Sequence, residues 1–115
     1  DLEKEEWTGR KFDLLITQMV LHHIINLDNI LRKFRNIIIE GGFLAIADLY
    51  PEDGSFHGRD FTGHKGFDIG ILSKKIGEHG FTNIIHRKCF TINKKISDNT
   101  INQFDIFLLT AKRGK

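Results

Sequence analysis

Apolar residues in the first half of the chain change from a continuous run to a helical period and back. Residues 12–19 (FDLLITQM) form a nearly unbroken apolar run, which predicts a strand buried on both faces of a parallel sheet. Across residues 28–39 the apolar positions recur at helical spacing, at Ile30, Leu31, Phe34, Ile37 and Ile38, while Arg32, Lys33, Arg35 and Asn36 face the other way. Residues 43–49 (FLAIADL) predict a second buried strand. Together they predict a βαβ unit with a right-handed crossover.

The predicted helix has residues suited to both of its ends. Asn26 or Asp28 can cap its start, because a short side-chain acceptor satisfies a free backbone N–H. Gly41 and Gly42 follow the periodic residues, and we expect them to supply the left-handed turn that ends the helix.

A long loop and a second helix follow. Residues 50–67 (YPEDGSFHGRDFTGHKGF) contain the only proline, and loops of this length are commonly functional or disordered. Asp68 can then cap a short helix over residues 69–79, which Gly80 ends.

The end of the chain completes an α/β fold. Residues 81–92 and 104–111 predict two further strands, and the residues between them carry no helical pattern, which favours a direct antiparallel return. We therefore expect residues 1–115 to form one domain, a mixed sheet of about four strands with two main helices. In open α/β sheets the ligand lies outside the carboxyl ends of the parallel strands. This predicts a crevice at residues 18–23 and 48–67.

Composition narrows the class of protein. The net charge is +2 and the basic residues are scattered, so nucleic acid is not an expected partner. No apolar run approaches the ~20 residues of a membrane span, and we expect no membrane association. Cys89 is the only cysteine, which predicts no internal disulfide and a reducing, cytoplasmic setting. Because the first residue is Asp1 rather than Met, we expect the chain to begin inside a longer gene product.

Taken in order, these segments resemble a known family. FDLLITQMVLHHI, a helix, GGFLAIADLYPEDGSFH, HKGFD and a helix ending in EHGF are similar to the second half of a class I S-adenosylmethionine-dependent methyltransferase. The strands before the long loop resemble the fourth and fifth strands of that fold, and residues 81–92 and 104–111 resemble the sixth and seventh. No glycine-rich turn follows a strand and opens a helix. The resemblance therefore implies the C-terminal portion of a partial Rossmann-like methyltransferase fold, without its first three strands.

The same resemblance implies S-adenosylmethionine as cofactor and methyl transfer to an acceptor, which we expect to be a small molecule. Asp1 and Leu2 resemble the pair that contacts the adenine. Gln18 and Met19 correspond to residues beside the methionine part of the cofactor. His23 is a further candidate for contact with the cofactor.

Histidines and aromatic residues near the crevice supply the other candidate site residues. His22, His23 and His57 are candidate catalytic residues, because an imidazole can accept a proton near neutral pH. The alternative is a histidine hydrogen-bonded to backbone, since many methyl transfers need little beyond alignment. The candidate substrate-binding residues are Asp48, Tyr50, Phe56, His57, His64 and Phe67. For Asp48, the alternative is capping the following turn.

Two other functions remain open on the sequence. Six histidines suggest a metal-dependent hydrolase, but no HExxH or CxxC spacing is present and no metal site is predicted. Residues 58–63 (GRDFTG) have the spacing of a phosphate loop, but His64 replaces the lysine. Alternatively, the chain is a non-catalytic fragment that forms a homodimer through the exposed edge of its first strand.

Overall fold

The structure is a computed structural model that describes residues 11–52, 56, 64 and 66–114. In chain order its elements are β1 (Phe12–Gln18), a 3₁₀ turn (Leu21–His23), α1 (Leu27–Ile37), β2 (Ile38–Leu49), α2 (Ile69–Glu78), β3 (Phe81–Ser97) and β4 (Thr100–Arg113). Within the described ranges, four strands and two α-helices confirm the predicted α/β class.

The strands form one mixed sheet in the order β1-β2-β4-β3. β1 runs parallel to β2, and β4 pairs antiparallel with β2 on its other side. β3 and β4 form an antiparallel hairpin that closes between Ser97 and Thr100, which confirms the predicted direct return. The last strand is therefore inserted between β2 and β3.

Both helices begin at side-chain caps that the sequence predicted. Asn26 accepts the N–H of Asn29 at 3.0 Å, so Asn26 rather than Asp28 caps α1. Asp68 accepts the N–H of Ile71 at 3.0 Å at the start of α2. Neither helix, nor any other in the described part of the chain, is long and apolar enough to cross a membrane.

The prediction for the end of α1 was wrong. The helix ends at Ile37 and the chain passes directly into β2 at Ile38, before either glycine is reached. The reason is the run of β-branched isoleucines at 37–39, which favours extended backbone. Gly41 does adopt a positive φ of 80°, but it does so inside β2, where the pairing with β1 shifts register.

The main core lies between one face of the sheet and the two helices. Its buried side chains from α1, α2, β2 and β4 include Leu31, Phe34, Leu72, Ile76, Leu44, Ile46, Phe107 and Leu109. Lys33 is also buried, so its predicted place on the polar face of α1 was wrong. A lysine has an aliphatic stem that can lie along apolar surface, which periodicity by residue type does not register.

β1 is much more exposed than predicted. Leu15 packs against the main core, but its neighbours Phe12, Leu14 and Ile16 are 43%, 52% and 65% exposed. In the described part of the chain β1 pairs with β2 alone, so one edge of β1 is open there, and the side chains on the face away from the helices are largely exposed. The prediction of a strand buried on both faces was therefore wrong. An apolar run shows what a strand is suited to contact, and the described residues provide that contact on one face.

The β3–β4 hairpin extends past the end of β2. β2 ends at Leu49, opposite Ile106, whereas β3 and β4 remain paired for several residues further. Both strands are longer than the sequence predicted, because the added residues pair through their backbones and carry no apolar alternation. The extension projects beyond the carboxyl ends of β1 and β2, which places it beside the predicted crevice.

Candidate functional site

β1 and β2 end side by side, and the chain turns sharply after β1. Gln18 lies beside Ala47 in the register, and Met19 donates its N–H to the Ala47 carbonyl at 2.8 Å. Met19 adopts a φ of 56°, which is uncommon for a residue other than glycine. This turn carries the following 3₁₀ segment to the carboxyl end of β2.

His22 and Asp48 form a buried pair that joins the two strand ends. The Asp48 carboxylate accepts the backbone N–H of His22 at 3.1 Å and that of Leu49 at 2.8 Å. His22 Nδ1 lies 2.6 Å from Asp48 Oδ1. An ionised carboxylate has no hydrogen to donate, so in this contact it pairs with the His22 tautomer that carries its proton on Nδ1. The side chains are 1% and 0% exposed, so Asp48 faces inward and fastens the turn after β1.

The 3₁₀ turn directs its two histidines differently. With about three residues per turn, neighbouring side chains are roughly 120° apart. His22 is buried, whereas His23 is exposed. Their ring centroids are 4.2 Å apart, with the planes tilted by 40°. Of the two imidazoles, His23 is therefore the one exposed to solvent.

His64 is fastened to the same turn. Its backbone N–H donates to the His22 carbonyl at 2.8 Å, and its ring centroid lies 5.1 Å from that of Phe67. His64 also lines a shallow groove of about 380 Å³, together with Leu27 and Lys75. The structure therefore brings His22, His64 and Asp48 together, as the sequence predicted for the two strand ends.

Phe56 forms an apolar wall with the projecting hairpin. Its ring meets that of Phe104 edge-on at 5.0 Å, and that of His22 edge-on at 6.4 Å. Lys94 Nζ lies 4.3 Å from the centroid of the Phe56 ring and also donates to the Phe56 carbonyl. Sequence reasoning missed Lys94 and Phe104 as site residues. Lys94 lies beyond the predicted end of β3, and Phe104, although inside the predicted last strand, reaches the crevice only because β4 extends past the end of β2.

Tyr50 and Phe67 pack inward at the base of the crevice. The Phe67 N–H donates to the Leu49 carbonyl at 2.8 Å, and its side chain is buried. The Phe107 ring meets those of Tyr50 and Phe67 edge-on, at 5.5 Å and 6.4 Å. These two predicted substrate-binding residues therefore contact the main core.

Of the four remaining candidate site residues, the structure describes one. Gln18 is exposed at the end of β1. Asp1, Leu2 and His57 lie outside the described residues. Among the side chains that the structure describes, no group of three or more His, Cys, Asp or Glu is arranged to hold a metal ion.

A charged cluster connects the two helices beside the groove. Asp28 on α1 accepts from Lys75 at 3.2 Å and contacts His79 Nε2 at 3.0 Å. The hydrogen bond to His79, followed by that to Lys75, lowers the pKa of the Asp28 carboxyl below its ordinary value. This cluster holds the end of α2 near the start of α1.

Solved structures match this chain in fold. A Bacillus halodurans protein described as a methyltransferase matches over 100% of this chain and 70% of its own, with a TM-score of 0.70 and 15% identity. Phosphoethanolamine N-methyltransferase 2 of Haemonchus contortus, solved with S-adenosyl-L-methionine, matches over 100% of this chain and 36% of its own (TM-score 0.71, 12% identity). A SAM-dependent methyltransferase of Thermotoga maritima matches over 97% of this chain and 61% of its own (TM-score 0.71, 12% identity).

These matches define the class of fold. No protein-family model matches the sequence, and no curated protein is similar to it. At 12% to 15% identity, the likeness to these structures concerns the fold. The chain shares its α/β fold, a mixed four-stranded sheet with two helices, with part of each of these structures, which confirms the predicted fold class.

Proposed function

We propose that this chain is the C-terminal half of a methyltransferase domain, and that the parent protein transfers a methyl group from S-adenosylmethionine to a small molecule. The observation that carries the proposal is the crevice at the ends of β1 and β2, within a fold that solved methyltransferases share along the whole chain. Imidazole and aromatic groups from both strand ends converge there. The chain spans 36% to 70% of those two proteins, so the activity proposed is that of the parent protein.

The described residues fit one side of a cofactor site. Gln18 is exposed at the end of β1, Met19 turns away from it in a left-handed conformation, and His23 lies exposed beyond them. In the proposal these three residues hold the methionine part of the cofactor, and Asp1 with Leu2 contact its adenine. When bound, the cofactor supplies a methyl group on a sulfonium, which is already a good leaving group.

The chain's own contribution is alignment and, where needed, proton removal. Orientation can supply several kcal/mol, up to ~7–11 in ideal cases. The exposed His23 is placed to accept a proton from an oxygen or nitrogen acceptor, whereas the burial of His22 suits a supporting role. Phe56 and the projecting hairpin, with Lys94, form the wall on the acceptor side.

An exposed free thiol at Cys89 suits the reducing cytoplasm, where we place the protein.

Titration with S-adenosylhomocysteine, followed by amide NMR of the whole 115-residue chain, tests the proposal. Because the chain supplies one wall of the site, we expect weak binding, with a Kd of about 1 mM, so that millimolar ligand occupies a substantial fraction of the sites. The shifted amides should be those of residues 18–23. Gln18→Ala should reduce the shifts, and Asn36→Ala is the matched control, because Asn36 is an exposed side-chain amide in the last turn of α1, away from the crevice.

Two results would count against different parts of the proposal. Tight one-to-one binding by calorimetry would contradict the view that this chain holds only one wall of the site. Shifts that are absent at millimolar ligand, or that fall elsewhere on the sheet, would contradict the assignment of the crevice as a cofactor site.

The exposed side of β1 supports a second candidate function. We propose, as the alternative, that the chain is a non-catalytic fragment that associates as a homodimer through β1. Phe12, Leu14 and Ile16 form an exposed apolar row beside the edge of β1 that is open in the described part of the chain. Such an edge is a template for pairing with another strand. Light scattering over a range of concentrations tests this alternative.

A further inference from the structure

The buried pair between His22 and Asp48 is the point where three parts of the chain meet. Asp48 belongs to β2, His22 to the 3₁₀ turn after β1, and His64 to the return of the long loop. Each joins the next by a short hydrogen bond: Nδ1 of His22 to Asp48 at 2.6 Å, and the His64 N–H to the His22 carbonyl at 2.8 Å. His22 thus uses its ring, its N–H and its carbonyl in contacts between segments.

We propose that His22, fixed by Asp48, is a positioning residue for the crevice. It holds the His23 ring, 4.2 Å away, at the surface and anchors His64 to the strand ends. The role given to His23 rests on the proposed methyltransferase function, whereas the anchoring of His64 does not. Because His22 is 1% exposed, it acts through its neighbours and does not contact the acceptor.

Chemistry at Asp48 explains why a histidine suits this position. The carboxylate takes three N–H groups, two from backbone and one from the His22 ring. A side chain at position 22 that has no N–H in the place of Nδ1–H leaves one acceptor position of Asp48 without a donor. Asparagine places an amide N–H close to where Nδ1–H lies, so His22→Asn keeps the donor and His22→Ala removes it. Asp48→Asn replaces one carboxylate oxygen by an NH₂ group, so that two hydrogen-bond donors face each other where a donor and an acceptor lay before.

Hydrogen exchange of the whole chain tests the anchoring without any ligand. In His22→Ala and Asp48→Asn we expect exchange of the His64 amide at least tenfold faster than in the parent. In His22→Asn it should return to within about threefold. The Leu109 amide, in the middle of β4, should change less than twofold in all three variants. Equal acceleration at Leu109, or failure of the asparagine to rescue, would overturn the proposal in favour of simple core packing.

Side-chain NMR of the histidines tests the positioning of His23. The parent should show His22 with its proton on Nδ1, and S-adenosylhomocysteine should shift the ring signals of His23. His22→Ala should reduce that shift at least fourfold and His22→Asn should restore it, while His86→Gln, an exposed position on β3, should leave it unchanged. An unaltered His23 shift in His22→Ala would overturn the positioning of His23. If the ligand shifts nothing in the parent, the methyltransferase proposal fails, and the exchange measurement alone decides whether His22 is an anchor.

Discussion

Gly66 provides a sharp test of how the long loop returns to the sheet. Its φ is +82°, and a Cβ placed on it would lie 1.9 Å from the Tyr50 carbonyl oxygen and 2.8 Å from the Cα of Pro51. Both neighbours are backbone atoms, which cannot rotate away as a flexible side chain can. Gly66→Ala must therefore push the loop return away from the end of β2.

The expected cost can be estimated from what that movement breaks. A left-handed conformation costs a residue with a Cβ roughly 1–2 kcal/mol. Separation of the two segments stretches the bond from the Phe67 N–H to the Leu49 carbonyl, now 2.8 Å, and a backbone hydrogen bond contributes about 1 kcal/mol. Phe67 is buried, and exposing about half of its side chain costs about 1 kcal/mol more. The free energy of unfolding should fall by about 3–4 kcal/mol.

Urea unfolding with a pair of control variants measures this loss. Gly77→Ala is the first control. Gly77 lies within α2, and a Cβ placed on it would lie an ordinary 3.8 Å from Ile84, so this variant should raise the free energy of unfolding by up to ~1 kcal/mol. Gly66→Asn is the second: asparagine tolerates a positive φ but carries the same Cβ, so its loss should lie within ~1 kcal/mol of the alanine variant. If Gly66→Ala unfolds within ~1 kcal/mol of the parent, or asparagine rescues it, the close approach to Tyr50 does not exist in solution.

Two surface substitutions give further tests. Contacts with His79 and Lys75 hold the pKa of Asp28 below its ordinary value, so its contribution is complete above that ordinary value and disappears as the pH falls through the folded-state pKa. Asp28→Asn should therefore lower the free energy of unfolding at pH 7 but leave it unchanged at strongly acid pH. Urea unfolding midpoints measured at the two pH values test this. An equal loss at both pH values would contradict the reasoning. Ile16→Lys, at an exposed position on β1, should abolish any concentration-dependent association by light scattering, whereas Ile85→Lys, equally exposed on β3, should leave it intact.

Much of the fold could be predicted because its elements are amphipathic in the expected way. The helical period of the apolar residues in α1 and the apolar segment of β2 both reflect burial against a single core. Caps at Asn26 and Asp68 were readable because short polar side chains suit few other positions before an apolar run. The hairpin was predictable from the lack of a helical pattern between β3 and β4, but its length was not. Its outer residues pair through backbone groups, which every residue type carries.

The exposure of β1 could not be predicted for a different reason. Its sequence is typical of a buried strand, but the apolar pattern does not indicate which residues bury it, or whether they belong to this chain. Leu15 finds its contacts in the core, while Ile16, with the same kind of side chain, is 65% exposed. Apolar patterning is thus evidence about the surroundings for which a strand is suited. Those surroundings include a neighbour on the second face. In the first proposal that neighbour is another part of the parent protein, and in the second it is another copy of the chain.

The adjacent histidines show where sequence reasoning about the site reaches its limit. Their position after an apolar run predicts that they lie at the end of a strand, but two identical side chains offer no means of assigning different roles. The assignment depends on the left-handed turn at Met19 and on the 3₁₀ geometry that follows, which direct one ring to Asp48 and leave the other exposed. A carboxylate 26 residues later thus decides which histidine is structural. For this reason His22→Ala and His23→Gln should differ in kind: His22→Ala should speed amide exchange at His64, whereas His23→Gln should weaken the amide shifts that the ligand causes at residues 18–23 and leave exchange at His64 unchanged.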